Sequence, residues 1–227
     1  MNLFQEILKN QENIKVIDEK INYSDYAAFD LSAKHTDKLN LDLTDANKFE
    51  EFVEKHLSEN NAKVAFGGYL EKRNLYKRSE NFNQENVEER NIHIGLDLWI
   101  KAGTSVLSAL DGKIHSFQNN TAFGDYGPTI ILEHEIEDVT FYTLYGHLSL
   151  ESLEGKMEGQ IVTKGQKIAE LGKLPINGDY APHLHFQIIK NIENKKGDYP
   201  GVCSLKDLDF YKENCPDPNL LLKISNH

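Results

Sequence analysis

The stretch Ala181-Pro-His-Leu-His-Phe-Gln187 sets the tightest limit on how this chain can fold. Side chains alternate between the two faces of a β-strand, so His183 and His185 project side by side while Leu184 and Phe186 point the other way. With Ile188 and Ile189 following, the apolar face marks a core strand, and Pro182 is tolerated where such a strand begins. Two adjacent imidazoles on one face of an apolar strand have two readings. Either they face solvent on a half-exposed strand, or a ligand draws them together, and the rest of the chain must decide.

Composition narrows the classes. A formal net charge of −11 over 227 residues argues against nucleic acid and anionic membrane surfaces, both of which attract basic patches. An apolar fraction of 39% with 10% aromatics is enough for a core, so global disorder is excluded, and the length suits one substantial domain with a smaller addition. The N-terminus lacks a basic region followed by a continuous apolar run, and no stretch reaches the length of a transmembrane helix. As written the chain reads as cytoplasmic; with a leader removed it would be periplasmic or extracellular. Cys203 and Cys215 have no cysteine neighbours at ligand spacing, so free or merely buried thiols are expected rather than a zinc–thiolate site.

Periodicity gives a coarse map. Residues 2–10 form an amphipathic helix with Leu3, Phe4, Ile7 and Leu8 on one stripe. Val16 and Ile17 suggest a short strand. The clearest helix runs from Leu43 to Leu57, with Thr44 or Asp45 capping it and Phe49, Phe52, Val53 and Leu57 at helical spacing. Val64 to Tyr69 reads as a strand with a glycine break, and Ser79 to Asn91 as a polar loop and internal boundary. From Ile92 onward, short β-branched and aromatic runs alternate with turns at Asp111-Gly112, Lys164-Gly165 and Asn177-Gly178. That spacing predicts an antiparallel all-β domain. The segment from Gly197 to Leu222 reads as loop-rich with a terminal apolar patch.

Three histidine-bearing segments carry the candidate chemistry. In His93-Ile-Gly-Leu-Asp97, period 2 places positions 93, 95 and 97 on one face, and Gly95 leaves space for an ion between imidazole and carboxylate, both good zinc ligands. Tyr145-Gly-His147 puts a histidine just past an aromatic strand. His183 and His185 complete the set. His35, His56, His115, His134 and His227 lack such partners and read as structural or surface residues.

The order His93-x-x-x-Asp97, Tyr145-x-His147, His183-x-His185-Phe resembles the lysostaphin/LytM-type zinc metallopeptidases that cut peptidoglycan cross-link peptides. Gly103-Thr-Ser-Val106, Ala109-Leu-Asp-Gly112 and Val162-Thr-Lys-Gly-Gln166 fit the same scaffold, over about Arg90 to Ile189. Gly124-Asp-Tyr-Gly127, Gly197-Asp-Tyr-Pro-Gly-Val202, Cys215-Pro-Asp-Pro-Asn219 and the segment from Ala65 to Arg78 resemble a subgroup in which this domain is fused to kinase-like and aminotransferase domains.

The resemblance implies a mainly β fold, an antiparallel sheet groove or sandwich. We expect an N-terminal α+β accessory region over 1–78 and a peptidase domain over 79–227. It further implies one Zn²⁺ per chain on His93, Asp97 and His185, with His147 as general base and His183 as transition-state stabiliser at a zinc-activated water. The expected substrate is a peptide, with peptidoglycan stem or cross-bridge peptides in view. Some secreted members place a tyrosine shortly before the first ligand; here Tyr76 is the nearest. Occlusion by a preceding segment is common in the family, and an asparagine such as Asn74 could reach the ion. Against the endopeptidase stand a non-hydrolytic metal-binding module, a histidine phosphocarrier and an inert β-domain.

Overall fold

The computed structural model describes residues 3–39, 43, 45–75 and 88–225; Thr44, Tyr76, His227 and positions 79–87 of the expected loop lie outside them. The amphipathic start of the chain is the helix α1 (Leu3–Asn10), which buries Phe4, Ile7 and Leu8 but leaves Leu3 exposed. Val16 and Ile17 are buried without forming a strand, Ile17 making a lone bridge to Val106. A short strand β1 (Tyr26–Ala28) and helix α2 (Ala33–Leu39) lead to α3 (Ala46–Glu59). The Asp45 side chain caps α3 by accepting from the Asn47 and Lys48 amides, which would otherwise lack partners. Strand β2 (Val64–Gly67) ends at Gly68, whose φ of +106° turns the chain away.

The β-rich half follows as β3 (Ile92–His93), β4 (Leu96–Trp99), β5 (Ser105–Leu107), β6 (Gly112–Asn120), β7 (Gly127–Ile136), β8 (Val139–Gly146), β9 (Ile161–Val162), β10 (Lys167–Glu170), β11 (His183–Ile189) and β12 (Val202–Cys203). Two short helices close it, α4 (Leu208–Asn214) and α5 (Asn219–Leu222), in a stretch expected to be loop. The main sheet has the order β1-β2-β4-β11-β8-β7-β6-β9. Its pairings are antiparallel except β1 with β2. The fold is therefore mainly β, with β10 on β5 and β12 on β3 as small satellite ladders. No helix among the described residues is long and apolar enough to cross a membrane.

Two-residue alternation sorts the sheet's faces. One face carries Phe66, Leu96, Leu98, Leu184, Phe186 and Ile188 into the largest core, where α1 and α5 pack Phe4, Leu8, Leu221 and Leu222 against them. Each fully buried aliphatic or aromatic side chain there contributes roughly 1.5–3 kcal/mol. The other face bears two smaller clusters. One joins Phe49 and Val53 of α3 to Phe29, Ala65, Trp99 and Tyr180; the other gathers Ile131, Leu144, Ile189, Tyr199, Cys203 and Cys215. Both cysteines are buried and unpaired. The described residues up to Leu75 therefore contribute to the main sheet and its cores together with the β-rich half. The candidate residues lie between the two smaller clusters.

His134 is a buried structural histidine: one ring nitrogen meets the Asp111 carbonyl at 2.8 Å, the other the Thr143 hydroxyl at 2.7 Å. Burial brings its pKa down from 6.5 to about 4. The folded state thus disfavours the protonated ring, so this contribution is complete above pH 6.5 and is lost as pH falls towards 4. Between pH 6.5 and 5 the loss from His134 alone is about 2 kcal/mol. Urea unfolding of metal-stripped protein at pH 7 and pH 5 checks it: the midpoint should drop in the wild type and drop less in His134→Gln. Equal slopes in the two would contradict the assignment.

Candidate active site

Register brings the candidate side chains together. In the β4–β11 ladder Asp97 lies opposite His185 and Trp99 opposite His183, so all four project from the same face. Gly146, at the end of β8, faces His185 across the other edge of β11, which places His147 immediately beyond. His147 takes a left-handed backbone (φ +62°), with its amide donating to the Tyr126 carbonyl. His93 arrives from β3 in the satellite ladder, because the chain between β3 and β4 leaves strand geometry. Gly95 was expected to leave space for an ion. The space is instead taken by the ring of His185, whose Cε1 would lie 2.4 Å from a Cβ at that position.

Hydrogen bonds fix which nitrogen of each ring carries the proton. A carbonyl oxygen can only accept, so His93 Nδ1–H donates to Gly68 O at 2.9 Å, leaving a lone pair on Nε2. The Gln187 amide nitrogen donates to the Pro200 carbonyl (3.1 Å) and to Cys215 Sγ (3.3 Å), which turns Oε1 towards His185 Nε2 at 2.9 Å. That ring nitrogen must then be the donor, and the lone pair of His185 sits on Nδ1. Asp97 Oδ2 accepts from the Arg73 guanidinium at 2.6 Å.

What remains is a triangle of lone-pair atoms. His93 Nε2 and His185 Nδ1 are 2.9 Å apart, and Asp97 Oδ1 is 3.2 Å from the first and 3.1 Å from the second. All three residues are almost fully buried. Burial alone would push the Asp97 carboxyl up, but His93 and Arg73 outweigh it and hold it well below the usual carboxylate range. Burial also brings His93 down to about 4, against the pull of Asp97. Three acceptors facing one another with no proton between them repel unless a cation sits among them. The donor set suits zinc: tetrahedral bonds of about 2.0–2.1 Å place donor atoms about 3.3 Å apart, close to the triangle observed.

His147 and His183 stand beside this triangle, their ring centroids 4.1 Å apart. His183 Nδ1–H donates to Ala181 O at 2.8 Å, and its Nε2 lies 3.9 Å from Asp97 Oδ1. His147 Nδ1–H donates to Asn177 O at 2.7 Å, leaving Nε2 as the uncommitted nitrogen. Burial brings His183 down to about 4; burial, with His183 and His185 nearby, holds His147 well below the usual imidazole range. All five candidate side chains line one cavity of about 390 Å³.

Sequence reasoning missed the supporting residues. Arg73, Tyr126 and Tyr180 line the cavity, Arg73 holding Asp97 and the two tyrosines packing on His147, while Gln187 and the Asn177 carbonyl hold His185 and His147. Tyr126 Oη is 3.4 Å from His185 Nε2, so a tyrosine does reach the site, from a loop after the first ligand rather than before it. Its signal was the phrase Gly124-Asp-Tyr-Gly127, and the cavity-lining Tyr199 lies in Gly197-Asp-Tyr-Pro-Gly-Val202. Asn74 does not reach the triangle; its amide donates to Asp37 at 2.8 Å.

Among solved structures, the chain is similar to the catalytic domain of the antimicrobial peptidase lysostaphin from Staphylococcus simulans, with 27% identity over 54% of this chain and 80% of that one, TM-score 0.38. It is also similar to Helicobacter pylori Csd3, with 26% identity over 55% of this chain and 33% of that one, TM-score 0.34. A third is a mutant catalytic domain of the prophage-encoded M23 protein EnpA from Enterococcus faecalis, with 22% identity over 53% and 87%, TM-score 0.37. The chain spans 44% of the longer lysostaphin chain. No match was found among curated proteins. The family model that matches is that of peptidase family M23, over residues 91–197, a stretch that holds His93, Asp97, His147, His183 and His185 together. Over these residues the chain is similar to peptidase family M23.

Proposed function

We propose that the chain is a zinc-dependent endopeptidase, acting on stem or cross-bridge peptides of peptidoglycan. The observation that carries the reading is the buried triangle of His93 Nε2, Asp97 Oδ1 and His185 Nδ1, each atom a lone-pair donor and each residue braced through its other polar atom. Two imidazoles and one carboxylate are the donor set of catalytic sites that keep an open position. When bound, the ion supplies a Lewis acid that brings a water's pKa towards neutrality and polarises a carbonyl.

The chain's own residues supply the rest. His147 is held neutral by burial and has its proton on Nδ1, so Nε2 accepts a proton from the attacking water. His183, pinned on the Ala181 carbonyl through Nδ1–H, faces the same space with its lone pair on Nε2, so it steadies the charge that develops on the carbonyl oxygen only as the imidazolium, with a proton on Nε2. Trp99 stacks on the His183 ring at 5.7 Å and limits its swing. A phosphocarrier fits less well. A phosphate on His185 or His183 would lie within 3.1–3.9 Å of an ionised Asp97, where like charges repel.

The test is metal content by elemental analysis, together with cleavage of purified cross-linked peptidoglycan fragments followed by mass spectrometry. About one zinc per chain is expected. A chelator should abolish cleavage and added zinc restore it. Zinc that binds while no peptide bond is cut would favour a non-hydrolytic recognition module; no zinc after reconstitution would remove the peptidase mechanism altogether.

A further inference from the structure

The outer support of two of the three triangle residues comes from a segment that precedes the family-matched residues. Gly68 offers its carbonyl to His93, and Arg73 offers its guanidinium to Asp97. Arg73 is itself fully buried, 1% exposed, which a guanidinium tolerates only when paired. Its Nε donates to Glu71 Oε2 at 2.5 Å, and Glu71 Oε1 in turn accepts from the Leu31 amide at 2.9 Å. The guanidinium carbon lies 5.5 Å from the Trp99 ring centroid. Gly68 leaves the necessary room, since a Cβ there would come within 2.0 Å of the Arg73 Nη2.

This chain of contacts, Leu31 to Glu71 to Arg73 to Asp97, has a purpose beyond packing. A carboxylate can offer one oxygen or both to a cation. With Oδ2 occupied by Arg73 at 2.6 Å, only Oδ1 faces the imidazoles. A positive guanidinium beside a cation site is repelled unless carboxylates flank it, and Glu71 supplies the second one. We propose that Arg73 is a positioning residue for the metal ligand Asp97: it holds the carboxylate to one-oxygen coordination and so keeps a place open for water. This rests on the reading of the triangle as a metal site.

The test uses the full chain and two probes, Zn²⁺ and Co²⁺. Arg73→Met keeps the stem and removes the charge. Its zinc affinity, measured by competition with a chromogenic chelator, should fall 10- to 100-fold, the usual cost of losing an outer partner. The visible absorption of the cobalt-loaded variant should weaken, because a carboxylate free to bind through both oxygens raises the coordination number above four. Arg73→Lys should recover part of both, since an ammonium can reach one oxygen but cannot bridge to Glu71 as well. A merely structural role would lower the melting temperature without changing the cobalt spectrum. Should Arg73→Met fail to fold, Glu71→Gln, which loosens the same guanidinium, should show the same spectral change in weaker form. A folded Arg73→Met with wild-type affinity and spectrum overturns the proposal alone. A wild-type chain that takes up neither ion overturns it together with the metal reading.

Discussion

His185→Ala should yield a chain that holds no zinc and has no measurable turnover, even with zinc in excess. Three protein donors are the usual minimum of a catalytic zinc site, and this substitution leaves two. Among the described residues no other imidazole is placed to step in. His183, the nearest imidazole on the same strand face, is tied through Nδ1 to Ala181 and stacked against Trp99, with its Nε2 still 3.9 Å from Asp97. Gln187 Oε1 also loses the ring N–H it accepted from. Elemental analysis on wild type and variant, purified side by side, reads the outcome directly. One metal per chain retained in the variant would mean that the triangle is not the binding site.

His147→Ala should behave in the opposite way, keeping its zinc while turnover falls on the order of a hundred- to ten-thousand-fold, the range expected when a general base is removed. His147 supplies no atom to the triangle; its ring centroid is 6.4 Å from that of His185. The left-handed φ of +62° at this position is one that histidine adopts more readily than alanine, so the variant should also lose a little stability. Zinc content and the rate of peptide cleavage must be measured on the same preparation. Full hydrolysis by the zinc-loaded variant would remove His147 from the mechanism and leave His183 as the candidate base.

The parts of this site that could be read in the sequence are those that follow from local geometry. Alternation placed His183 and His185 on one face and Leu184 and Phe186 on the other, and β11 is that strand, buried on both sides. Asp45 as a cap and the stripe of α3 followed from helical periodicity. What escaped depends on long-range register. That Asp97 would lie opposite His185 is decided by the pairing of β4 with β11, which no local pattern states.

Arg73 escaped for a different reason. A guanidinium is ordinarily exposed, and its burial between Glu71 and Asp97 exists only once the segment has docked. The helices α4 and α5 are seven and four residues long, too short for a 3.6-residue period to show. Gly95 was legible as a site needing space, but the occupant is the His185 ring, because β3 and β4 belong to different ladders.

The pairing of β2 with β4 has a further consequence. Without it, β4 would be a sheet edge, offering its unpaired amides and carbonyls to any extended chain, including a second copy of itself. With Ala65, Phe66 and Gly67 docked along it, that edge is closed, so a peptide cannot enter by adding a strand beside Asp97 and must come to the histidines across the face of the sheet. The same stretch of chain therefore governs the direction of approach. A polypeptide beginning at Asn91 would keep every histidine of the site, yet it would present both an adhesive border and an open side door.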